Sequence, residues 1–425
     1  MGENFVVAIR PGWALAPIMR RYQEMGAVDI ARLNNISGVL AQEIYVVVMP
    51  DGFAAERMKF DGVWHVEGEI EHGFFQPHGF DPLPPNLQRD APLGRSDLTL
   101  GSPSNLPTFV SAGSFRNIME AIQAPQAWQV SRGAGVTLVV IDTGVEGELV
   151  PEERRAGGWI DGQGDPWKDD VGHGSLAAMV AAANQHYNGY NGVAPDAKIF
   201  SMKPQLGPSG GILGSSVLKG LDHLLGLKLG PVVTNQSWGV YGCRSPIASC
   251  NVVAAMLVKE IQKGAITTWA AGNSKGTCGP EARGTLWWLN SMPQSVSVGA
   301  LDRNLRPQFY STPGPGQCFP LQPVAVTPTY GVLPWGGGFR DFGEQGGGTS
   351  STSPMVAGAL ALLMSRYPEA TNRELRNALR AGSSNLVLGS PLPYMPETGF
   401  GLLQIQTALA LLPLIKLHPF YAVFP

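Results

Sequence analysis

The chain has 425 residues, 44% of them hydrophobic, which is enough for one sizeable core and a smaller second domain. Thirty Lys and Arg against thirty-three Asp and Glu give a formal net charge of −3 without a basic block, so the charge gives no indication of nucleic-acid binding. The high content of Gly (54) and Pro (35) favours a loop-rich enzyme over a helical protein.

The first 75 residues are predicted to form a small α+β domain. Strands are predicted at 5–9, 42–49 and 63–70, and helices at 14–25 and 54–60. These elements fit within the β-α-β-β-α-β order of a ferredoxin-like fold, which has four strands. From residue 71 the composition changes to Pro, Gly, Ser and mixed charge, and we predict a linker over 76–116.

A larger domain is predicted over residues 117–412. Apolar, β-branched runs at 136–141, 231–234 and 264–271 are typical of buried parallel strands, which predicts an α/β fold. Asp142 follows the first run and Asn273 follows the third. Both side chains would therefore lie at the carboxyl edge of the sheet, where open α/β sheets place their functional sites.

Two further polar residues stand where a loop meets a helix. His173 precedes a helix of small residues at 176–183, and Ser350 precedes an apolar helix at 355–364. The free N–H groups and the dipole at such a helix start favour developing negative charge. A serine hydroxyl becomes a nucleophile when a base oriented by a third group lies within hydrogen-bond reach, and His173 and Asp142 supply those residue types.

Each of these residues also has a structural interpretation. Ser350 could be an N-cap, Asp142 or Asn273 a turn residue, and His173 a structural hydrogen-bonding residue. The joint pattern favours function. Four motifs follow one another along the chain: Asp-Thr-Gly at 142–144, His-Gly-Ser at 173–175, Ala-Ala-Gly-Asn at 270–273 and Gly-Thr-Ser-x-x-x-Pro at 348–354.

In their order and spacing these motifs resemble those of the subtilisin-like serine proteases, the subtilase or peptidase S8 family. The resemblance implies a subtilisin-like parallel sheet with helices on both faces, and a serine endopeptidase that works through an acyl-enzyme. It implies Ser350 as nucleophile, His173 as general base and then acid, Asp142 as the carboxylate that fixes the imidazole tautomer, and Asn273 as an oxyanion donor beside the Ser350 backbone N–H.

The resemblance also implies where a peptide substrate binds. It would lie as an added strand between two edges and contact an S1 wall. The residues implied are Ser237, Trp238 and Gly239 on one edge, Ser209 and Gly210 on the other, and Ala270, Ala271 and Gly272 in the wall. No metal is expected in catalysis. A structural calcium stays open at the loop 185–191, where Asn188 offers an oxygen but an Asp-rich pattern is lacking.

The N-terminal domain resembles the subtilase propeptide. That likeness implies a zymogen, in which this domain inhibits its own protease by laying its C-terminal segment through the cleft, and self-cleavage within the linker. A ferredoxin-like accessory domain is the alternative. Two other activities also stay open: a subtilase-fold peptide transpeptidase or macrocyclase, and a catalytically silent binding protein.

The remaining features are the tail, the cysteines and the N-terminus. We predict an apolar C-terminal tail over 413–425, in which Pro413, Lys416 and Pro419 exclude a membrane span. The four cysteines could pair as Cys243 with Cys250 and Cys278 with Cys318, or stay as free thiols. As written, the chain begins without a signal-peptide pattern, which indicates a cytoplasmic protein, or a secreted one whose signal has been removed.

Overall fold

The structure is a computed structural model. It describes the following residues: 2–10, 13–34, 43–61, 63–68, 71–74, 115–188, 191–239, 264–274, 286, 289–302, 305–316, 323, 325–328, 331–335, 338–343, 348–383 and 394–417. All four cysteines and the tail beyond residue 417 lie outside these ranges, so the disulfide alternatives stay predictions.

The N-terminal unit is a four-stranded antiparallel sheet with one long helix. Its elements are β1 (Glu3–Ile9), α1 (Leu15–Glu24), β2 (Asp29–Arg32), β3 (Glu43–Met49) and β4 (Val63–Gly68). The sheet order is β2-β3-β1-β4, and this architecture agrees with the predicted ferredoxin-like α+β domain.

In this unit one strand was missed and one helix is of a different type. Strand β2 was missed because its four residues, two exposed and two partly buried, are of mixed polarity and carry no strand pattern. The helix predicted at 54–60 is a 3₁₀ helix over Ala55–Met58. The buried Tyr22 hydroxyl donates a hydrogen bond to the Met58 carbonyl at 3.1 Å, which ties this short element to helix α1.

Both faces of the N-terminal sheet are apolar. Side chains of successive residues in a strand point to opposite faces. In β1, Phe5 and Val7 belong to the cluster formed with helix α1, whereas Val6 and Ala8 belong to a cluster that includes Leu221 of the larger domain. The sheet is therefore sandwiched between its own helix and the larger domain.

The larger domain is built on a seven-stranded parallel sheet. The strands are β6 (Thr137–Ile141), β7 (Arg155–Ile160), β8 (Lys198–Lys203), β10 (Val232–Gln236), β12 (Ala265–Ala270), β13 (Val296–Leu301) and β14 (Ala325–Pro328). Their order in the sheet is β14-β13-β12-β10-β6-β8-β7. The central strands β6, β10 and β12 are buried along their whole length, as expected when helices cover both faces, which confirms the predicted fold class.

The described residues also form two smaller sheets. In one, the order is β11-β5-β9, formed by β5 (Glu71–Phe74), β9 (Ile212–Leu213) and β11 (Trp238–Gly239). The other is a hairpin of β15 (Gly331–Trp335) and β16 (Gly338–Gly343). The composition change at residue 71 therefore does not mark the start of an unstructured linker, since residues 71–74 form a strand.

The helices of the larger domain surround this sheet. They are α2 (Phe115–Ala121), α3 (Ala124–Ala127), α4 (His173–Ala182), α5 (Gln185–Asn188), α6 (Gly214–Leu225), α7 (Gly348–Arg366), α8 (Asn372–Gly382) and α9 (Ile405–Leu417). Helix α7 is buried from residue 348 to 364 and packs against α4 and strands β10, β12 and β13. Among the described residues, no helix is long and apolar enough to cross a membrane.

Helix α9 continues past the predicted domain end at residue 412. A proline inside a helix cannot donate to the carbonyl four residues earlier. For Pro413 that carbonyl belongs to Leu409, and the Tyr367 hydroxyl donates to it at 3.4 Å. A side chain from a distant part of the chain thus supplies the missing donor, and the helix extends to Leu417.

The close packing of helix α7 on its neighbours gives a stability test. A Cβ atom at Gly358 would lie 2.6 Å from the Val193 Cβ and 2.9 Å from the Ala181 carbonyl oxygen. We expect Gly358→Ala to lower the free energy of unfolding by about 1–3 kcal/mol. The measurement is urea unfolding followed by tryptophan fluorescence.

Gly264→Ala is the matched control, since a Cβ there meets no atom within 4 Å. It should leave stability unchanged or raise it slightly. Equal stability of the two variants would contradict the close approach at Gly358.

Candidate active site

The predicted Asp142 and His173 are hydrogen-bonded to each other. Asp142 directly follows β6, and its backbone N–H donates to the Met202 carbonyl at 3.0 Å. The His173 Nδ1 and Asp142 Oδ1 atoms are 2.7 Å apart, and both side chains are buried. Because a carboxylate only accepts, the imidazole nitrogen that faces it carries a proton. In the neutral ring, Nε2 is then the basic nitrogen.

The backbone around this pair is closely packed. His173 is the first residue of α4, after Gly172 with φ +88°. A Cβ at Gly174 would overlap the Gly144 carbonyl oxygen and lie 3.0 Å from the Asp142 Cβ. The small residue after His173 therefore lets the helix start approach the Asp142–Gly144 segment directly.

Ser350 lies in the first turn of helix α7, and the strand-edge residue Ser237 is its hydrogen-bond partner. The Ser350 Oγ donates to the Ser237 carbonyl at 3.2 Å, and the Ser237 Oγ donates to the Ser350 carbonyl at 3.0 Å. Pro354, four residues later, cannot donate to that carbonyl, so the Ser237 hydroxyl takes its place. Because Pro354 leaves the Ser350 carbonyl open to another donor, the nucleophile candidate is hydrogen-bonded to the strand edge at Ser237.

A buried amide supports this link. The Asn235 side chain donates to the Ser237 Oγ at 2.9 Å, and its Oδ1 accepts from Ser353 at 2.8 Å and from Thr268 at 3.2 Å. Strand β10 and helix α7 are therefore joined by a network of buried polar groups. Such networks specify one geometry when every member has a partner.

Asn273 is oriented by its contact with Thr349. The Asn273 Oδ1 accepts from the Thr349 backbone N–H at 3.1 Å and from the Thr349 hydroxyl at 2.9 Å. The Thr349 Oγ1 in turn accepts from the Gly272 N–H at 3.1 Å. With its oxygen held by two donors, the Asn273 amide directs its NH₂ group away from Thr349.

Strand β5 of the N-terminal unit lies between the predicted edge at 238–239 and strand β9. Strand β5 pairs antiparallel with both neighbours: Phe74 lies opposite Trp238, and His72 lies opposite Ile212. The edge on the β9 side is thus formed by Ile212–Leu213, while Ser209 and Gly210 lie in the turn before it. Since Phe74 pairs with Trp238, β5 runs toward Ser237.

The predicted S1 wall continues strand β12. Ala270 and Ala271 are buried, and Gly272 has φ +104°. The Ala270 carbonyl accepts from the Asn290 amide at 2.9 Å. The Gly272 carbonyl accepts from the Thr312 N–H at 2.8 Å. These bonds fix the segment that leads from the strand to Asn273.

The calcium suggestion stays untested. Asn188 ends helix α5, and its side chain lies outside the described part of the chain. Within the described ranges, no group of three or more His, Cys, Asp or Glu side chains is placed to hold a metal ion.

Comparison with known proteins gives the same family as the motifs. Residues 133–392 match the family model described as "Peptidase_S8: Subtilase family". The chain belongs to the subtilase family. It is 28% identical over 277 residues to subtilisin E of Bacillus subtilis (strain 168), a match that covers 65% of this chain and 66% of that protein.

A second sequence relative matches over more of its own length, and one solved structure has a similar fold. Subtilisin DY of Bacillus licheniformis is 30% identical over 278 residues, 65% of this chain and 92% of that protein. The crystal structure of fervidolysin from Fervidobacterium pennivorans, titled "a keratinolytic enzyme related to subtilisin", has a TM-score of 0.68 at 19% identity. The match covers 96% of this chain and 61% of the fervidolysin chain. This similarity supports the subtilase fold.

Several site residues were missed by the sequence analysis. Thr349 stands inside a recognised motif, but its contact with Asn273 depends on two segments far apart in the chain. Asn235 stands between the predicted strand at 231–234 and the predicted edge at 237–239 and belongs to none of the four motifs. Asp169, four residues before His173, accepts hydrogen bonds from both motif segments that meet at the site. The available signal was a hydroxyl residue inside three of the four motifs, namely Thr143, Ser175 and Thr349.

The Thr349 contact gives a test of this subtilase site. Thr349→Val keeps the side-chain shape and removes the hydroxyl that orients Asn273. If Asn273 acts as an oxyanion donor, the variant should lose part of the roughly 10²–10³-fold effect in kcat that such a donor supplies. We expect a decrease in kcat of about 10-fold with KM nearly unchanged, measured on a chromogenic peptide.

Thr352→Val is the matched control. Thr352 is buried in the same helix, and its hydroxyl donates to the Thr349 carbonyl at 3.0 Å. Its kcat should stay within about twofold of the parent. A Thr349→Val variant as active as this control would contradict the assigned role.

Proposed function

We propose that this subtilase is a serine endopeptidase that hydrolyses peptide bonds through an acyl-enzyme, and that its N-terminal unit inhibits it until the connecting segment is cut. One observation carries the proposal: strand β5 lies between β9 and β11 and runs toward Ser237, whose carbonyl accepts from the Ser350 hydroxyl. A peptide bound in this way is delivered to a nucleophile through backbone hydrogen bonds.

The proton transfers are assigned to His173. Its Nε2 takes the proton of the Ser350 hydroxyl as Oγ attacks the scissile carbonyl, and later gives that proton to the leaving amine. The protonated Nδ1 donates to Asp142 throughout, so the carboxylate stabilises the imidazolium that forms. Water, deprotonated by the same imidazole, then releases the acid product and restores Ser350. In the structure the Ser350 hydroxyl donates to the Ser237 carbonyl, so the proposed step requires this hydroxyl to turn from that carbonyl to the Nε2 of His173.

Two hydrogen-bond donors are assigned to stabilise the negative charge that develops on the oxygen of the scissile carbonyl. One is the Ser350 backbone N–H, in the first turn of helix α7, where the helix dipole favours an anion. The other is the Asn273 NH₂ group, whose direction follows from the two hydrogen bonds that hold its oxygen at Thr349. Both donors are fixed before the reaction, so little reorganisation is needed when the charge develops.

Self-inhibition is supported by two contacts of the N-terminal unit. Its sheet places Val6, Ala8 and Val46 in the apolar cluster shared with Leu221 of helix α6. Its strand β5 pairs with β9 and β11, between which we propose that a substrate peptide binds. Because pairing through backbone groups tolerates any side chains, we expect broad substrate specificity after the unit has left.

The self-processing test compares the parent chain with Ser350→Ala. We expect the parent to be cut in the residues that follow Phe74 and the variant to stay intact, since removing the nucleophile leaves no acyl-enzyme. N-terminal sequencing and intact mass spectrometry of both proteins, expressed and stored alike, provide the measurement. Ser351→Ala is the control, because the Ser351 hydroxyl donates to the Gly348 carbonyl at 3.1 Å within the helix, and it should be processed like the parent.

A parent chain that stays uncut while it digests casein would contradict self-processing. Equal cutting of Ser350→Ala would contradict the assigned nucleophile. Mass spectrometry of the peptide products also tests hydrolysis: the endopeptidase yields two fragments whose summed mass exceeds that of the substrate by one water for each bond cut, whereas a transpeptidase yields ligated or cyclic peptides without that gain.

The carboxylate role has a separate test. Asp142→Asn keeps the shape but allows the amide to favour the wrong imidazole tautomer, and kcat should fall by about 10⁴. Labelling of Ser350 by a fluorophosphonate should slow in parallel, because it needs the same base. Unchanged labelling would assign Asp142 a structural role only.

A further inference from the structure

A carboxylate outside the proposed catalytic residues collects hydrogen bonds from both segments that meet at the active site. Asp169 is half-buried and lies four residues before His173. Its Oδ1 accepts from the Thr143 hydroxyl at 2.8 Å, and its Oδ2 accepts from the Ser175 hydroxyl at 2.7 Å. Three backbone N–H groups also donate to it, those of Val171 (3.2 Å), Gly172 (2.8 Å) and Ser175 (2.8 Å).

The two hydroxyls bridge the segments in opposite directions. The Thr143 Oγ1, next to Asp142, accepts from the Gly174 N–H at 3.0 Å. The Ser175 Oγ, two residues after His173, accepts from the Glu146 N–H at 2.9 Å. In each segment, one hydroxyl therefore accepts a hydrogen bond from a backbone N–H of the other segment. We call these two contacts the hydroxyl bridges, and both hydroxyls also donate to Asp169.

The carboxylate decides how these hydroxyls point. An ionised carboxylate can only accept, so the protons of both hydroxyls must turn toward Asp169. Their lone pairs are then left to accept from Gly174 and Glu146. A neutral amide in place of Asp169 could satisfy one hydroxyl but would present an NH₂ group to the donors on the other side.

This arrangement controls the spacing of the proposed base and its carboxylate. Asp142 begins one bridged segment and His173 begins the other, and their side chains are 2.7 Å apart. Gly174 lies against the Gly144 carbonyl, so the two segments have no room to move closer. The contact prevents approach and the bridges prevent separation, which together fix the Asp142–His173 distance.

We propose that Asp169 is a positioning residue of the active site, which holds the Thr143 and Ser175 hydroxyls in donor orientation and thereby keeps Asp142 and His173 in hydrogen-bonding register. The inference rests on the proposed serine endopeptidase function. Asp169 also accepts from the Ser175 N–H in the first turn of helix α4, where a negative charge stabilises the helix start that carries His173.

The test compares Asp169→Asn with Asp170→Asn in the mature, processed enzyme. Both variants remove one negative charge, from adjacent residues. Asp170 is 71% exposed, and Lys203 is its ion-pair partner at 3.7 Å, so it is separate from the hydroxyl bridges. We expect kcat to fall by about 10–100-fold in Asp169→Asn with KM changed less than about twofold, as for a misplacement of reacting groups, and both constants to stay near the parent in Asp170→Asn.

A second pair of variants keeps the inference testable if Asp169→Asn folds poorly. Thr143→Ser retains a hydroxyl for Asp169 and Gly174, whereas Thr143→Val does not. We expect Thr143→Ser to keep most of the parent kcat and Thr143→Val to lose about as much as Asp169→Asn. Where both single variants fold, the double variant Asp169→Asn with Thr143→Val should lose less than the product of the two effects.

The outcomes separate the two proposals. A parent enzyme without fluorophosphonate labelling or peptide hydrolysis would overturn the proposed function. An active parent in which Asp169→Asn behaves like Asp170→Asn would overturn the positioning role alone. A KM that rises as much as kcat falls would also overturn it, because that pattern indicates weaker substrate binding and not misplaced reacting groups. So would a Thr143→Ser variant as impaired as Thr143→Val, because the shared hydroxyl would then have no effect on the rate.

Discussion

The structure of the site depends on one hydrogen bond between two buried side chains, the 2.7 Å contact of Asp142 with His173. A carboxylate taken out of water is costly unless donors replace its hydration, and here the imidazole and the Thr143 N–H at 2.8 Å both donate to Asp142 Oδ1. The bond joins the carboxyl end of β6 to the start of α4. Its length therefore depends on how firmly that strand end and that helix start are held together, which is why a third residue such as Asp169 can matter to a pair that it does not touch.

The other half of the site depends on the first turn of helix α7. Pro354 leaves the Ser350 carbonyl without a donor from its own helix, and the Ser237 hydroxyl fills that place. One residue beyond Ser237, Trp238 pairs with strand β5. The same short segment thus contacts the nucleophile candidate and the bound peptide strand. This connection explains in physical terms how a peptide can be placed relative to a hydroxyl without any contact to its side chains, since backbone pairing fixes the register along the strand.

Much of this site could be predicted from local pattern. Asp142 and Asn273 follow buried apolar runs, and His173 and Ser350 begin helices, so their places at one sheet edge follow from the chain itself. The missed features depend on residues that are distant in sequence. Strand β5 forms only because 212–213 and 238–239 meet around it. Helix α9 passes Pro413 because Tyr367 reaches the Leu409 carbonyl. Asp169 resembles any exposed loop acid until the Thr143 hydroxyl, far back in the chain, is placed beside it.

The N-terminal unit is attached to the larger domain by two contacts of different physical kind. Strand β5 pairs through backbone groups, which fix direction and register but accept almost any sequence. The sheet face that carries Val6, Ala8 and Val46 packs on helix α6 through apolar side chains, whose burial supplies free energy without directionality. Under the proposed function, a substrate peptide would make the first contact but lack the second. The proposal therefore assigns the selectivity of the cleft for its own N-terminal unit to the sheet face, and it implies that a chain cut after β5 stays bound for as long as that apolar face remains covered.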